Sequence, residues 1–334
     1  MIESFCLNAM SRFLPFSLIV FLSAGFYLHA VSESKEHWFS QTPNKQEDLI
    51  KIQNRLQELL PATKKTLVAI EADDGAGSGV LVSEDGLVLT AAHVIGETGK
   101  KMRVRLPNGK SFPAVSLGGS EISDAGMLKI TKKGKWPFAP IAQKGVSKFG
   151  DWCFAIGHPG GFNKERGIVV RLGRVIGKSE ETLQSDSRLL GGDSGGPLFN
   201  FNGEVIAIHS RISKESDQNF HVPIESFHIN WEFYKKGELL TFDRLQNQAF
   251  LGVACEKVAE GLAILNVVEN SSAQKIGMRK GDILLSFNNE KLDSREELTI
   301  LVSSKIPGDK VKIQYQRDDT QLSVEVILGD RPKE

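Results

Sequence analysis

The sequence predicts an all-β fold made of two consecutive β-rich units, preceded by a helix and an apolar leader. Short runs rich in β-branched and aromatic residues begin near residue 66 and recur almost to the C-terminus, separated by Gly, Asp, Asn and Pro. The 32 glycines among 334 residues suit the tight turns that join short strands. The sequence has neither the alternating strand–helix rhythm of a parallel sheet nor a GxGxxG or P-loop signature.

Composition and charge narrow the classes of partner. Lysine plus arginine and aspartate plus glutamate each number 41, so the formal net charge is zero. A neutral chain has no overall attraction for nucleic acid, and we expect no nucleic-acid partner. Cys6 lies in the leader, and Cys153 and Cys255 fall in different predicted units, so we expect no disulfide between those two. No Cys/His spacing typical of zinc occurs, and we expect no metal and no cofactor.

Residues 1–30 have the order of a targeting segment. Arg12 precedes the apolar run 13–24, and Ala30 ends the stretch. The apolar run is shorter than the ~20 residues that cross a bilayer. Three interpretations remain: a cleaved signal peptide, an uncleaved membrane anchor, or a buried helix of the fold. The first two export the chain and predict a location in the periplasm or cell envelope.

Residues 31–64 are predicted to be a linker followed by an amphipathic helix. The stretch 31–45 is polar. In 46–61 the apolar residues recur at helical spacing, namely Leu49, Ile52, Leu56, Leu59 and Leu60. We expect this helix to end at Pro61 and to pack on the following unit or on a neighbouring subunit.

The β-rich remainder divides at a polar bridge. Residues 65–238 form the first predicted unit, which closes with a strand and then a helix over 224–234; 239–250 form a linker. Residues 251–330 form the second unit, with five strands and a helix near 294–304. Ser294 followed by Glu297 is a capping box, which supports the start of that helix.

Three separated residues in the first unit carry the elements of nucleophilic catalysis. His93 follows an apolar strand, Asp124 precedes another, and Ser194 lies in a glycine-rich turn. A serine hydroxyl needs a base within hydrogen-bond distance, and the base needs a carboxylate that fixes its tautomer. We therefore predict His93 as the base, Asp124 as the orienting acid and Ser194 as the nucleophile. Each residue alone has an ordinary structural explanation, but the three in this order and context favour the catalytic one.

The glycines around Ser194 have a separate predicted task. They allow the tight, positive-φ turn that directs consecutive backbone N–H groups toward a developing oxyanion. The expected donors are the backbone amides of Gly192 and Ser194.

These segments resemble the trypsin-like serine proteases, and specifically the HtrA (Deg) family. The histidine segment looks like the first-barrel hairpin of that family, and the aspartate and serine segments are similar to its catalytic motifs. The matching segments are the serine motif 191–198 and residues 77–80, 86–90, 124–130, 155–159 and 220–224. The resemblance covers about residues 65–330 and implies a two-barrel chymotrypsin/trypsin-like domain followed by a small PDZ-like β domain with one or two short helices. It also implies a homotrimer.

Two features depart from the HtrA pattern. HtrA proteins usually carry Asn directly before the nucleophile, whereas this chain has Asp193. Digestive trypsin-like enzymes carry Asp there and pair it with an N-terminal amine released by cleavage, but no comparable activation site is visible. In addition, residues 66–77 leave little room for the long regulatory loop of some members, so we do not expect large cages.

Substrate recognition is predicted from position in the fold. The pocket for the side chain before the scissile bond would be framed by residues 188–191 and 208–210, with Arg188, Leu190, Ile208, His209 and Ser210 as candidates. If Arg188 points inward, an acidic side chain would be preferred; the alternative is a surface arginine. The resemblance implies small or medium aliphatic side chains in unfolded substrates.

The C-terminal unit resembles a PDZ domain of the HtrA type, from residues 251–254, 271–273, 277–284 and 288–289. A glycine-bearing loop can present backbone N–H groups to a peptide carboxylate while the next strand pairs with the peptide. We predict Leu251, Gly252 and Val253 for the loop. Leu298 and Leu301 on the helix are candidates for the side-chain pocket, or else simple core residues.

These observations predict an envelope serine endopeptidase that cleaves unfolded or exposed protein segments, with peptide C-termini bound at the PDZ unit. Protein quality control or regulated proteolysis is the expected role. The alternative from another class is a proteolytically silent PDZ scaffold or chaperone on a protease fold. A lesser alternative is an esterase that uses the same triad.

Overall fold

The computed structural model describes residues 38–72, 75–179, 181–213, 218–242 and 249–331. The predicted leader, residues 1–30, lies outside the described residues. No helix within these ranges is both long and apolar enough to cross a membrane.

A short 3₁₀ turn, Trp38–Ser40, leads into helix α1, Gln46–Thr66. Leu56, Leu59 and Leu60 pack against the core that follows. The expectation that the helix ends at Pro61 was wrong, because α1 continues for five residues beyond it. Proline removes one backbone donor, but the packed apolar face keeps the helix in place, and the Thr63 hydroxyl donates to the Leu59 carbonyl at 3.1 Å.

The first barrel contains six antiparallel strands and one short helix. The strands close in the order β5-β4-β1-β2-β3-β6, with β6 pairing back to β5. Their apolar faces, with Val68, Val88 and Leu128 fully buried, fill the interior. The elements are β1 (Leu67–Ala72), β2 (Gly75–Leu81), β3 (Leu87–Ala91), α2 (Ala92–Ile95), β4 (Lys101–Arg105), β5 (Ser111–Ser120) and β6 (Ala125–Ile130).

The second barrel also closes with six strands, in the order β10-β11-β12-β9-β8-β7. Two short helices follow instead of the single helix predicted over 224–234, because Asn230 leaves the helical region at φ −107° and ψ 16°. The elements are β7 (Trp152–Gly157), β8 (Val169–Lys178), β9 (Leu183–Ser185), β10 (Pro197–Asn200), β11 (Val205–Ile212), β12 (Asn219–Pro223), α3 (Ile224–Ile229) and α4 (Trp231–Lys235).

Strand β13 (Leu239–Leu240) returns to the first barrel and pairs in parallel with β5. The C-terminal unit then builds a sheet in the order β15-β16-β17-β19-β20 around its own core. Its elements are β14 (Ala249–Phe250), β15 (Val253–Lys257), β16 (Leu262–Val267), α5 (Ser272–Lys275), β17 (Ile283–Phe287), β18 (Glu290–Lys291), α6 (Arg295–Ser303), β19 (Lys310–Arg317), β20 (Thr320–Ile327) and β21 (Gly329–Asp330). The predicted all-β class, with two barrels and a smaller β unit carrying two short helices, is confirmed.

Helix α6 begins as the sequence predicts. The Ser294 hydroxyl accepts from the Glu297 backbone N–H at 3.0 Å, and Glu297 Oε2 accepts from the Asp293 backbone N–H at 2.6 Å. The first turn of α6 also contacts the barrels. Glu296 Oε1 accepts from the Ser123 hydroxyl at 2.8 Å and from the Tyr234 hydroxyl at 3.1 Å.

Candidate active site

The register of two strands in the first barrel brings His93 and Asp124 together. Strand β3 pairs with β6 so that Ala91 lies opposite Ala125. His93 follows β3 on α2 and Asp124 directly precedes β6, so their side chains emerge at the same edge of the barrel. His93 Nδ1 lies 2.9 Å from both carboxylate oxygens of Asp124, and the His93 backbone N–H donates to Oδ1 at 3.0 Å. This contact leaves Nε2 as the ring nitrogen available for a proton.

The second barrel completes the surroundings of Asp124. The Ser210 hydroxyl on β11 donates to Asp124 Oδ2 at 2.6 Å. The sequence predicts Ser210 as a residue of the substrate pocket, and that assignment stays a prediction; the structure shows that its hydroxyl is directed to the Asp124 carboxylate. No sequence signal distinguishes this role, since it depends on how the two barrels face each other.

Ser194 lies on the loop before β10, between the two barrels. Its hydroxyl donates to the Ser210 carbonyl at 3.4 Å, and within the described ranges no hydrogen bond joins it to His93. The Ser194 backbone carbonyl accepts from the Ser78 N–H on β2 at 2.7 Å, which ties the nucleophile loop to the first barrel. The predicted nucleophile and the predicted base are thus held on separate barrels that meet at this cleft.

The backbone amides of Gly192 and Ser194 are oriented by the carbonyls of the residues that precede them. The Gly191 carbonyl accepts from Gly160 N at 2.6 Å, and the Asp193 carbonyl accepts from Gly196 N at 2.8 Å. Because C=O and N–H point in opposite directions across a trans peptide, the Gly192 and Ser194 amides are directed away from these partners. Neither amide has an acceptor among the described residues, as an oxyanion site requires.

Glycine is needed in this loop for two reasons. Gly192 has φ +92° and Gly195 has φ +84°, values that side-chain-bearing residues rarely adopt. A Cβ on Gly195 would approach the Thr90 hydroxyl within 2.0 Å and the Ser78 carbonyl within 2.2 Å. Ser78 also supports the loop from β2, since its hydroxyl donates to the Gly192 carbonyl at 2.8 Å. The Thr90 hydroxyl in turn donates to the Ser78 carbonyl at 2.8 Å, and neither supporting role was predicted from the sequence.

Charge in the site is set by the contacts of Asp124. Burial opposes the charge on Asp124, but hydrogen bonds from His93 and Ser210 hold its pKa below the ordinary 3.8. The hydrogen bond to Asp124 raises the pKa of His93 above the ordinary 6.5, although partial burial opposes the positive charge. The pair therefore favours an imidazolium next to a carboxylate, the state that forms when His93 accepts a proton.

The remaining pocket candidates divide into exposed and interior residues. Arg188 is exposed, which favours its interpretation as a surface arginine over one that points into the pocket. Leu190 is 46% exposed. Ile208 and His209 lie in the interior of the second barrel and are fully buried. His209 Nδ1 lies 3.0 Å from His221 Nδ1, so its ring packs among barrel residues instead of on an open pocket wall.

A small groove in the C-terminal unit gathers most of the predicted peptide-binding residues. It has a volume of about 80 Å³, and its lining includes Leu251, Gly252, Val253 and Leu298. Leu301 does not line it and packs against the core, because the helix turns Val302 toward the groove instead. Within the described residues β15 is an edge strand, which leaves its backbone open to pair with an extended peptide.

Comparisons with known families agree with this architecture. Residues 77–208 match the trypsin-like peptidase domain, and residues 249–328 match the PDZ domain. The probable periplasmic serine endoprotease DegP-like of Ectopseudomonas mendocina (strain ymp) is 32% identical over 278 residues, covering 77% of this chain and 57% of that protein. The protein of the same description from Chlamydia trachomatis serovar D is 29% identical over 293 residues, covering 82% of this chain and 58% of that protein. The chain thus spans little more than half the length of these relatives.

Solved structures share the fold. A serine endoprotease from Yersinia pestis aligns with a TM-score of 0.56 at 23% identity and covers 87% of this chain and 100% of that chain. The HtrA-type protease AlgW with tripeptide aligns with a TM-score of 0.60 at 21% identity, covering 83% of this chain and 98% of that chain. The peptidase and PDZ matches show that the chain combines a trypsin-like peptidase domain with a C-terminal PDZ domain, and over most of its length it is similar to DegP-like serine endoproteases.

Proposed function

We propose that this chain is a serine endopeptidase that cuts unfolded or exposed protein segments through an acyl-enzyme. The observation that carries the proposal is the contact set of Asp124, which accepts from His93 on one barrel and Ser210 on the other, beside Ser194. A carboxylate held by both partners fixes the histidine tautomer and supports its protonated form. His93, Asp124 and Ser194 are the residues to which we assign base, orienting acid and nucleophile.

The reaction follows from this geometry in two steps. His93 Nε2 accepts the proton as the Ser194 oxygen attacks the substrate carbonyl, and the Gly192 and Ser194 amides bind the oxyanion. His93 then returns the proton to the leaving amine, which leaves an acyl group on the Ser194 oxygen. Water attacks this acyl-enzyme with His93 again as the base, and the acid product is released. The Ser194 side chain must first rotate toward His93, because its hydroxyl donates to the Ser210 carbonyl. Catalytic hydrogen bonds often form only with substrate bound, so we expect this rotation to accompany substrate binding.

The wider biological setting is part of the same proposal. Relatives described as periplasmic support export to the periplasm or cell envelope and a role in protein quality control or regulated proteolysis. The groove along β15 supports capture of peptide C-termini. We also propose the division into a leader (1–30), a linker and helix (31–64), a protease domain (65–238), a linker (239–250) and a PDZ domain (251–330), with assembly as a homotrimer.

Replacement of the nucleophile tests the proposal. The wild-type chain is expected to cleave unfolded casein and to react covalently with a fluorophosphonate probe, whereas Ser194→Ala should lose both activities. Ser286→Ala, which removes a buried serine hydroxyl from the PDZ unit, should retain both. Far-ultraviolet circular dichroism should show that both variants fold. Casein turnover by Ser194→Ala at the wild-type rate would rule out Ser194 as the nucleophile.

The silent-scaffold alternative has one observation in its favour, namely the Ser194 hydroxyl that faces the Ser210 carbonyl. It predicts that the wild-type chain binds peptides at the PDZ unit yet neither cleaves casein nor reacts with the fluorophosphonate.

A further inference from the structure

The residue before the nucleophile carries a charge that is hidden from water. The Asp193 side chain is only 1% exposed, and its Oδ2 accepts from the Leu190 backbone N–H at 2.9 Å. The Asp193 N–H in turn donates to the Leu190 carbonyl at 3.0 Å. A buried carboxylate is costly unless a cation or several donors offset the loss of water. Burial raises the pKa of Asp193, and the Leu190 amide and Arg171 act against that shift.

Arg171 on β8 supplies the cation. Its Nη1 lies 3.0 Å from Asp193 Oδ2, and the Arg171 side chain is 15% exposed. A second arginine, Arg166, also favours the ionised form, but its Nη2 donates to the Gly161 carbonyl at 2.7 Å. Arg171 is therefore the direct partner of the carboxylate.

The neighbouring strand is shaped to accept this ion pair. In the β7–β8 ladder Arg171 lies opposite Ala155 and Val169 lies opposite Gly157. A Cβ on Gly157 would come within 2.2 Å of Asp193 Oδ1, so the missing side chain lets the carboxylate rest on the β7 backbone. The pair thus joins the nucleophile loop to two strands of the second barrel.

The ion pair affects the proposed oxyanion site because of where Asp193 lies in the chain. Asp193 lies between Gly192 and Ser194, whose two amides are the oxyanion donors. Drawing its side chain toward Arg171 fixes the turn from Leu190 to Gly196 that orients both amides. In digestive enzymes of this fold an N-terminal amine released by cleavage pairs with the corresponding aspartate. Here an arginine within the folded chain occupies that electrostatic role.

We propose that Arg171 is a positioning residue that holds Asp193 and thereby keeps the oxyanion site formed without any cleavage to create a new N-terminus. This inference rests on the proposed peptidase function. Arg171 does not touch the substrate; it acts through Asp193 and the loop.

The test compares wild type with Arg171→Met and with the double variant that carries both Arg171→Met and Asp193→Asn. Reaction with a fluorophosphonate probe and kcat and KM for casein report the oxyanion site. Arg171→Met should lower the rate of both reactions about 100-fold, the loss typical of a removed oxyanion donor, with KM changed little. The double variant should recover to within about tenfold of wild type, because it leaves neither charge buried alone. Arg171→Lys, which keeps the cation, should retain most of the reactivity.

Arg317→Met is the matched control. Arg317 pairs with Asp282 at 2.7 Å in the PDZ unit, and the Asp282 side chain is only 3% exposed. Its loss should lower stability without slowing the fluorophosphonate reaction. Hydrogen exchange over residues 190–196 in a Ser194→Ala background gives a readout that needs no activity: Arg171→Met should speed exchange there, and Arg317→Met should not.

The outcomes separate the two proposals. A folded wild-type chain that neither cleaves casein nor labels contradicts the peptidase function, while the exchange measurement still judges the loop. An active wild type with Arg171→Met equally active and unchanged in exchange overturns the role of Arg171 alone. A double variant no better than Arg171→Met would likewise overturn it, because a charge-pair role demands recovery.

Discussion

At the scale of single residues, the backbone of Asp124 is held in a conformation that most residues avoid. Its φ is +60°, in the left-handed region where aspartate is tolerated better than bulky residues. Such a conformation costs on the order of 1 kcal/mol and persists where surrounding contacts determine it. Here those contacts are the hydrogen bonds that the Asp124 carboxylate accepts from His93 and Ser210. The left-handed backbone places the carboxylate between these two donors.

The raised pKa of His93 makes a prediction about pH. In the proposed mechanism His93 must be neutral to accept the Ser194 proton, so kcat/KM for casein should rise with pH through an inflection above 6.5. Stability should move the other way. The charged His93–Asp124 pair stabilises the fold fully below pH 6.5, and this contribution is lost as pH rises through the raised pKa.

Measurement of kcat/KM and of the unfolding temperature across the same pH series checks both signs. His93→Gln is the control for stability, since it lacks the titrating group and should remove that part of the pH dependence. An inflection in kcat/KM below 6.5 would contradict the electrostatics described for the pair.

At the scale of elements, α6 serves two surfaces. Its first turn contacts the barrels through Glu296, and Leu298 and Val302 line the peptide groove. The loop opposite is shaped by Gly252, whose φ of +87° excludes most side chains and whose Cβ would come within 2.1 Å of Ser271. The groove thus combines a glycine loop, an edge strand and one face of a helix.

The groove makes a prediction about two leucines of the same helix. Leu298→Ala should weaken binding of a fluorescein-labelled decapeptide ending in valine about tenfold, because it removes apolar contact worth about 1.4 kcal/mol. Leu301→Ala is the matched control and should change affinity little, since Leu301 lies outside the groove. Fluorescence anisotropy measures both.

The same decapeptide amidated at its C-terminus should bind weakly to all forms, because the proposed binding mode has the loop amides recognise a carboxylate. Equal losses for the two leucine variants would contradict the groove assignment.

At the scale of the whole molecule, partly buried hydrogen bonds join the PDZ unit to the barrels. Glu296 accepts from Ser123, the residue before Asp124, and from Tyr234, which is fully buried. Burial raises the pKa of Glu296 above the ordinary 4.5, although the hydroxyl donors oppose the shift. Stability from the protonated form is therefore complete below pH 4.5 and is lost as pH rises through the raised pKa.

Comparison with Glu296→Gln isolates this effect. The unfolding temperature of wild type relative to Glu296→Gln should fall as pH rises from about 4 to about 7, because glutamine stays neutral throughout. Glu325→Gln removes an exposed carboxylate in the same unit and serves as the control. A difference between wild type and Glu296→Gln that stays constant over this range would contradict the burial of an ionisable group at the contact.

The sequence by itself determined the fold class, the resemblance to HtrA proteases and the identity of the candidate triad. Each depends on local chemistry: strand-forming runs, turn glycines, and motifs in which His93, Asp124 and Ser194 stand beside strands. The capping box at Ser294 was also readable, because a cap involves only neighbours along the chain.

Only the tertiary structure decided the contacts between segments that are distant in sequence. The donation from Ser210 to Asp124, the pairing of Arg171 with Asp193 and the exclusion of Leu301 from the groove all depend on strand register and on how the barrels and helices face one another. Packing also kept α1 helical beyond Pro61, where local propensity predicted its end. A one-residue change of register reverses the face of every side chain on a strand, and no local pattern in this chain specifies that register across its barrels.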